Sequence, residues 1–374
     1  MLIVFLIAAL FVSCTKDTNT SLAQNSELEI EHIKTWGGSK NESAQAVTKT
    51  SDGGYAILGY TQSNDGDVRN KSNESYDYWL LKFDARNQLQ WQKTYGGSDD
   101  DRGFDLIQTS DGGFAMLGKS KSNDLDVSKN SGFDDFWVSK LDSNGSISWE
   151  YSYGFAGSDT PNSIIQTQDN GYIIIGSSDS NDVDISNSKG GYDFWVVKIS
   201  NTGSLVWEKT FGGSEIDEAR AITSSNDGNY LIVGDTRSDD LNISQNAGAA
   251  DLWLIKITPE GTLLWEKTIG GTNFDVGRSV SKTQDNGFLI SGSSRSSDGN
   301  ITTNKGLNDA WVLKIDSGGN IKWHKSIGGS ETDFFYDSVE LNDQTIVAVG
   351  NSNSSNEDIN ENKGFTDLLI LKLK

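Results

Sequence analysis

A repeat of constant length organises most of this chain. Two sets of five tryptophans recur at intervals of 58 residues. The sets are Trp79, Trp137, Trp195, Trp253 and Trp311, and Trp91, Trp149, Trp207, Trp265 and Trp323. A repeat of this length is typical of one supersecondary unit, which buries its apolar faces against the copies on either side. A further copy at the C-terminus, which lacks these tryptophans, brings the number of units to six.

Within a copy, the residue pattern predicts four strands and no helix. In the third copy the strands fall at 163–167, 172–177, 194–199 and 205–211, where β-branched and aromatic residues are enriched. Short Asp/Asn-containing turns that end in Gly join the first strand to the second and the third to the fourth. The link between the second and third strands is long and polar. No segment combines helical periodicity with helix caps.

Four-stranded antiparallel units in tandem predict an all-β fold, a six-bladed β-propeller in which each blade covers the edge of the next. Residues 28–36 match the fourth strand of a unit, whereas residues 368–374 match a third strand. We therefore expect residues 28–36 to complete the last blade and close the ring, an arrangement called velcro closure. The alternative is an open solenoid, which needs capping units that are not visible in the sequence.

The first 27 residues have the features of an export signal followed by a tether. Residues 2–12 are almost wholly apolar, and this run is too short for a transmembrane helix. Residues 10–14 resemble the lipobox of bacterial lipoproteins, which implies that Cys14 is lipidated and becomes the mature N-terminus. We expect a signal peptide at 1–13, a flexible tether at 14–27 and the propeller at 28–374.

The lipobox resemblance implies an outer-membrane lipoprotein that faces the periplasm or the cell surface. The alternative is an ordinary cleaved signal peptide with an incidental cysteine. The formal net charge of −22, from 53 Asp and Glu against 31 Lys and Arg, makes nucleic acids and anionic membranes poor partners for the body of the protein. We therefore expect membrane contact through the N-terminal lipid only.

The repeat also resembles a known family. The strings Gly-Gly-Ser-x-x-Asp, Gly-Tyr-x-x-x-Gly and Asp-x-Trp-Val-x-Lys-Ile-x-x-x-Gly-x-Ile-x-Trp are similar to the repeats of secreted bacterial β-propellers of the SBBP type, and closest to copies in Bacteroidetes surface proteins. The resemblance covers residues 28–374. It implies a propeller that is secreted or held at the surface, and no fixed activity.

Several positions recur in all six copies and point to shared structural needs. An Asp begins each third strand and a Lys lies near its end, as in Asp135 and Lys140, and we interpret both as scaffold. A further acidic position lies just after the Gly-Gly-Ser segment: Glu42, Asp101, Asp159, Asp217, Asp275 and Asp333. Because this connection enters the innermost strand of a blade, we expect these carboxylates to ring one end of the central channel.

The long loops carry a second acidic pattern, Asp-x-Asp or Asp-x-Asn. Its members are Asp65, Asp67, Asp124, Asp126, Asp182, Asp184, Asp240, Asn242, Asp298 and Asn300. Alternating oxygen ligands on a short loop suit Ca²⁺, although the third acid and the bidentate Glu of an EF-hand are lacking. The sequence leaves two interpretations open, a calcium site and a turn in which each Asp bonds to loop backbone.

Residues that depart from the repeat are the better candidates for ligand contact. They are Pro161, Asn162, Arg237, Arg295, Phe334, Phe335 and Tyr336. One Cys and two His exclude a zinc site rich in these residues and a Ser–His–Asp centre. We expect a monomeric, non-catalytic binding or scaffold module with a glycan or protein ligand on its acidic loop face.

Two alternatives to a binding module remain open. The first is a polysaccharide hydrolase or lyase with carboxylates in the funnel of the propeller. The second is a purely structural part of a larger assembly, which has protein partners and no small ligand.

Overall fold

The structure, a computed structural model, describes residues 34–154, 159–178, 188–362 and 364–374. The chain divides into a segment, 1–36, and a body, 37–374. The described residues contain 23 β-strands and no helix, which confirms the all-β prediction. Accordingly, no helix that is long and apolar enough to cross a membrane occurs in this part of the chain.

The strands have nearly constant lengths from blade to blade. The first three blades contain β1 (Glu42–Lys49), β2 (Tyr55–Thr61), β3 (Asp77–Phe83), β4 (Leu89–Tyr95), β5 (Asp101–Gln108), β6 (Phe114–Ser120), β7 (Asp135–Leu141), β8 (Ile147–Tyr153), β9 (Asp159–Gln166), β10 (Tyr172–Ser178), β11 (Asp193–Ile199) and β12 (Leu205–Phe211). The last three contain β13 (Asp217–Ser224), β14 (Tyr230–Thr236), β15 (Asp251–Ile257), β16 (Leu263–Ile269), β17 (Asp275–Lys282), β18 (Phe288–Ser294), β19 (Asp309–Ile315), β20 (Ile321–Ile327), β21 (Asp333–Glu340), β22 (Ile346–Ser352) and β23 (Asp367–Leu373).

Each group of strands forms one antiparallel sheet in chain order, so the six-bladed propeller is confirmed. The first five sheets have four strands and the sixth has three, β21, β22 and β23. The first strand of each blade packs against the first strand of the next, so these strands are innermost around the axis. In the third blade this strand begins at Asp159 rather than at the predicted residue 163, because its polar first half pairs with β10.

The tryptophans of the third strands pack between blades, as the sequence predicts. The rings of Tyr78 and Trp137 are 4.6 Å apart, those of Phe136 and Trp195 are 4.7 Å apart, and those of Phe194 and Trp253 are 4.5 Å apart. Each pair joins one blade to the following blade. The same side chains belong to the hydrophobic clusters that fill the space between successive blades. This packing supplies most of the apolar burial that holds the blades together.

One face of the sixth blade is more exposed than the equivalent faces of the other blades, and we call it the seam face. Val349, Leu368 and Ile370 of the sixth blade stand at the repeat positions of Leu117, Phe136 and Val138. Leu368 is 75 % exposed, whereas Phe136 is 0 % exposed against the third blade. Residues 28–33 of the predicted closing strand lie outside the described residues, and 34–36 form no strand. Velcro closure therefore stays a prediction.

Candidate functional site

Every innermost strand carries a β-bulge at the same repeat position. In β5, for example, Gly103 pairs with Gly118 and Asp105 pairs with Leu117, so Phe104 has no partner on β6. The six extra residues are Gln45, Phe104, Asn162, Arg220, Arg278 and Tyr336. We call them the bulge ring. A bulge redirects a side chain away from the ladder, and bulges are frequent next to functional sites.

A glycine of the repeat faces each bulge. A Cβ on Gly118 would lie 2.1 Å from the carbonyl oxygen of Arg102, so no larger residue fits beside the bulge. The equivalent glycines of the other blades approach the bulged strand as closely: Gly59, Gly176, Gly234, Gly292 and Gly350. A glycine inside a strand often marks a bulge. The second glycine of the Gly-Tyr-x-x-x-Gly string is therefore the sequence signal for the ring.

The bulge ring lies at the middle of the innermost strands, since each member is the fourth residue of an eight-residue strand. Asn162 Nδ2 donates a hydrogen bond of 2.6 Å to the carbonyl oxygen of Ala219 in the next innermost strand. Two residues predicted from their departure from the repeat, Asn162 and Tyr336, are therefore members of the ring. Pro161 and Phe335 directly precede them and are buried, so these two predicted contact residues are not available to a ligand.

Arg220 and Arg278 occupy the ring in neighbouring blades but differ in their partners. Arg220 Nε lies 3.1 Å from Asp235 Oδ1 and its Nη2 lies 2.6 Å from Glu218 Oε2, so two carboxylates offset its charge. Arg278 has no ion pair with any described residue, and its Nε is buried without a hydrogen-bond partner there. Burial lowers the pKa of Arg278, and the neighbouring charge of Arg220 lowers it further.

Two aromatic rings of the sixth blade flank Arg278. Its guanidinium carbon lies 5.6 Å from the ring centroid of Phe334 and 5.4 Å from that of Tyr336. The two rings are nearly parallel, with centroids 6.3 Å apart. Tyr336 is 46 % exposed. An arginine and two aromatic side chains, from two neighbouring blades, thus form a three-sided group at one side of the bulge ring.

The predicted loop residues Arg237 and Arg295 form a separate exposed group. Their guanidinium carbons lie 6.0 Å and 5.8 Å from the ring centroid of Phe274, which belongs to the connection between the fourth and fifth blades. Arg295 Nε also donates to Asn308 Oδ1 at 2.6 Å. Four of the seven arginines of the chain therefore belong to the fourth and fifth blades.

The recurring carboxylates that follow the Gly-Gly segment are structural rather than solvent-facing. Asp101 is 0 % exposed and accepts hydrogen bonds from Gly97 N at 2.7 Å, from Ser122 Oγ at 2.9 Å and from Ser120 Oγ. Burial raises its pKa to about 6. Asp159, Asp217, Asp275 and Asp333 are likewise fully buried, and the half-buried Glu42 makes equivalent bonds. The expected ring of carboxylates at the channel end is replaced by one internal bonding site per blade.

The Asp-x-Asp loops hold the connection that enters the same blade. Asp124 Oδ1 accepts from Ser98 N at 2.7 Å, and Asp126 Oδ2 accepts from Gly96 N at 3.3 Å. Equivalent bonds occur in the other described loops, at Asp65, Asp67, Asp240, Asn242, Asp298, Asn300, Asn356 and Asp358. Asp182 and Asp184 lie outside the described residues. These contacts favour the backbone-bonding interpretation, with the difference that the amides belong to the preceding connection.

Calcium binding stays a prediction. Among the described residues, no group of three or more His, Cys, Asp or Glu side chains is arranged to hold a metal ion. Each described loop places two side-chain oxygens on backbone amides, and a cation at this position would compete with those hydrogen bonds.

The opposite face of the propeller carries, in successive blades, an ion pair between a buried lysine and an exposed aspartate. Lys140 Nζ lies 2.8 Å from Asp111 Oδ2 in the hairpin of its own blade, rather than in a neighbouring blade. The same pair is Lys82 with Asp52, Lys198 with Asp169, Lys256 with Asp227 and Lys314 with Asp285. Although burial raises the pKa of Asp111, hydrogen bonds from Lys140, Thr109 and Gly113 lower it to about 2.

That hairpin face also has a polar depression of about 240 Å³ between the third, fourth and fifth blades, lined by residues such as Gln166, Ser224 and Lys282. Lys282 Nζ donates to Ser224 Oγ at 3.1 Å, so its polar groups already bond to one another. The bulge ring is a better candidate for ligand contact than this depression, because Arg278 Nε has no hydrogen-bond partner among the described residues.

Comparison with known proteins gives no family, since no family model matches the chain. The regulatory protein FlaEY of Caulobacter vibrioides is 24 % identical over 228 residues, which are 57 % of this chain and 22 % of that protein. The chain thus spans about a fifth of the length of this curated relative.

Two solved structures illustrate the structural neighbours. A DUF4221 family member from Bacteroides vulgatus has 9 % identity and a TM-score of 0.43, over 91 % of this chain and 93 % of that one. A gluconolactonase from Xanthomonas campestris has 7 % identity and a TM-score of 0.39, over 80 % and 88 % of the two chains. Similarities at this level assign no activity.

Proposed function

We propose that this protein is a non-catalytic binding module of the cell envelope and that its ligand contacts the bulge ring. One observation carries the proposal. The acidic residue three positions before each bulge and the glycine opposite it recur in all six blades and serve the fold, whereas the six ring positions hold Gln, Phe, Asn, Arg, Arg and Tyr. A set of unlike side chains on a uniform frame is what selective contact with one ligand requires.

The surroundings of the ring favour binding over catalysis. A hydrolase or lyase of the kind considered above needs a carboxylate that is free to accept or donate a proton to its substrate. Asp105 of β5 accepts hydrogen bonds from Leu106 N and Ile164 N, each at 2.8 Å. Asp337 of β21 accepts from Ser338 N at 2.8 Å. Asp235 is paired to Arg220, so Asp105 and Asp235 beside the ring already have structural partners.

The class of ligand follows from the side chains and the location. Amide, aromatic and arginine side chains suit a polar ligand with flat faces, such as a glycan, better than a purely apolar one. The lipobox-like segment that ends at Cys14 supports a location in the outer membrane, where glycans and envelope proteins are both at hand. The net charge of −22 disfavours nucleic acids and anionic lipids as ligands.

The proposal is tested by measuring the binding of acidic and neutral oligosaccharides to the full chain by calorimetry. Tyr336→Ala, in the ring, is compared with Tyr151→Ala, because the two tyrosines are 46 % and 43 % exposed. We expect Tyr336→Ala to weaken binding about tenfold and Tyr151→Ala to leave it unchanged. Equal binding by both variants would reject the ring as the contact surface. Turnover of any oligosaccharide would reject a non-catalytic function.

A further inference from the structure

Arg278 is the charged member of the bulge ring that forms no ion pair with any described residue. Its neighbour Arg220 bonds to Asp235 and Glu218, whereas the contacts of Arg278 are the rings of Phe334 and Tyr336. An aromatic face attracts a guanidinium, yet it does not satisfy the N–H groups at the edge of the fork. The Nε–H is buried without a partner among the described residues, so the fork still has hydrogen-bonding capacity for an acceptor from a ligand.

The strongest acceptor for a guanidinium is a carboxylate or a phosphate, because two parallel hydrogen bonds form with matching geometry. In a chain with a net charge of −22, an anionic ligand approaches against the overall field. At the subsite the positive charge comes from Arg278 itself, which forms no ion pair with a described residue. A singly charged carboxylate meets less of the repulsion from the rest of the protein than a doubly charged phosphate.

The aromatic pair points to the rest of the ligand. The rings of Phe334 and Tyr336 are inclined by only 15° to each other and lie beside the guanidinium. The apolar face of a pyranose ring packs well on such side chains, and a carboxylate on the same pyranose would then reach the arginine. Asn351 Nδ2 lies 3.1 Å from the Tyr336 hydroxyl, which fixes the position of that hydroxyl next to the ligand.

We propose that Arg278, Phe334 and Tyr336 form a subsite for a sugar that carries a carboxylate, a uronic acid residue. The subsite rests on the proposed function, since it assigns the chemistry of a ligand that contacts the bulge ring. Arg278 bonds to the carboxylate, and Phe334 and Tyr336 contact the face of the sugar ring. Arg220 remains bonded to its own two carboxylates and is not part of the subsite.

The experiment uses the full chain and titration calorimetry with tri-galacturonate as the probe. The same trisaccharide with its carboxyl groups reduced is the neutral control ligand. Arg278→Gln and Arg278→Lys are compared with Arg86→Gln, an exposed arginine in the hairpin of the first blade. We expect Arg278→Gln to weaken tri-galacturonate binding 10-fold to roughly 100-fold, since a hydrogen-bonded charge is lost. Arg278→Lys retains the charge but not the fork and should lose about tenfold.

We expect Arg86→Gln to bind tri-galacturonate as tightly as the parent protein does. We also expect all variants to keep the melting temperature of the parent protein. Equal binding of the neutral trisaccharide, or full binding by Arg278→Gln, would overturn the uronate subsite and leave the proposed function standing. If instead a peptide with a free C-terminal carboxylate binds in an Arg278-dependent manner and tri-galacturonate does not, the sugar assignment is overturned. Failure of every acidic and neutral oligosaccharide to bind would reject the subsite and the glycan-binding function together.

Discussion

Asp101 accepts a hydrogen bond of 2.7 Å from the backbone N–H of Gly97, four residues earlier in the chain. The bond closes the connection between the first and second blades around a buried carboxylate. Ser122, from the loop after β6, donates to the same carboxylate at 2.9 Å. The connection, the innermost strand and the loop of one blade are therefore tied to a single side chain, and the stability of the blade depends on its state of protonation.

We expect the free energy of unfolding to fall as the pH rises from about 4 to about 6. Burial raises the pKa of Asp101, Asp251 and Asp309 to about 6 and that of Asp77 to about 7. The folded chain then binds more protons than the unfolded chain above about pH 4, which gives a negative slope of stability against pH. Urea unfolding at several pH values measures this slope, and Asp101→Asn, which does not titrate, should make it shallower.

The same titration should show a loss of stability on the acid side. The pKa values of Asp111 and Asp169 are lowered to about 2, where hydrogen bonds from lysine outweigh burial. A lowered pKa contributes stability that is complete above about pH 4 and is lost as the pH falls towards 2. Stability should thus be greatest near about pH 4. A stability that instead rises steadily from pH 4 to neutrality contradicts the assignment of buried, high-pKa aspartates.

The Lys140–Asp111 pair should respond unequally to the loss of either partner. The lysine side chain is 7 % exposed and that of the aspartate is 63 % exposed. Asp111→Ala leaves a buried ammonium without its carboxylate and should cost about 3 kcal/mol. Lys140→Met leaves a carboxylate that water solvates, and should cost about 1 kcal/mol. Chemical unfolding of the two variants and the double variant measures the difference, and equal costs would contradict this account.

The loop carboxylates are expected to stabilise the protein without a metal ion. Asp124→Ala removes the acceptor of the Ser98 amide and should lower the free energy of unfolding by about 1–3 kcal/mol. The melting temperature of this variant and of the parent protein is measured in a chelator and in Ca²⁺. If the loop carboxylates bond only to backbone amides, the substitution lowers the melting temperature by the same amount in both solutions. A Ca²⁺-dependent rise in the parent that Asp124→Ala abolishes would support the calcium site instead.

The two sets of tryptophans should differ in their contribution to stability. Trp195 is buried between the second and third blades, and Trp195→Ala should cost about 3–5 kcal/mol through the cavity that it leaves. Trp149 is half-buried and donates through Nε1 to the carbonyl oxygen of Asn201 at 3.0 Å. Trp149→Ala should cost less than Trp195→Ala. Thermal unfolding of both variants tests the order, and the reverse order would contradict it.

Velcro closure predicts a defined register between residues 28–36 and β23. In the fifth blade Trp311 pairs with Ser326, and the repeat places Leu369 and Thr35 at the corresponding positions. Cysteines at these two positions, in a chain with Cys14→Ser, should form a disulfide under mild oxidation, visible as a mobility shift. Thr35→Cys combined with a cysteine at exposed Ser143 is the control. Absence of the cross-link between the first pair would contradict the predicted closure.

The sequence was sufficient for the strands, because the signals for them are local. The tryptophan period, the Asp/Asn-Gly turns and the short apolar runs all lie within one repeat. The burial of Asp101 was not predictable in the same way, because Ser120 and Ser122 come from a neighbouring strand and loop and an acidic residue is ordinarily exposed. The carboxylates were consequently expected at a channel end rather than inside the blade.

The candidate site could be predicted in part. Asn162 and Tyr336 depart from the repeat, but the sequence does not show that they occupy one structural position, because a bulge adds one residue to a strand without any composition of its own. Arg278 lies in an innermost strand and is not among the contact residues predicted from the sequence. The glycine opposite each bulge, such as Gly292 against β17, was the available signal.

The bulge also affects how freely the ring can change. Phe104 and its counterparts have no partner in the β-ladder, so a new side chain at such a position neither breaks a pair nor shifts the strand register. Asn162 and Arg220 hold neighbouring groups of the fold, but the other four positions can be exchanged one at a time while the fold is retained. This makes the propeller a suitable host for engineered recognition, in which a library restricted to four codons samples ligand specificities on one unaltered backbone.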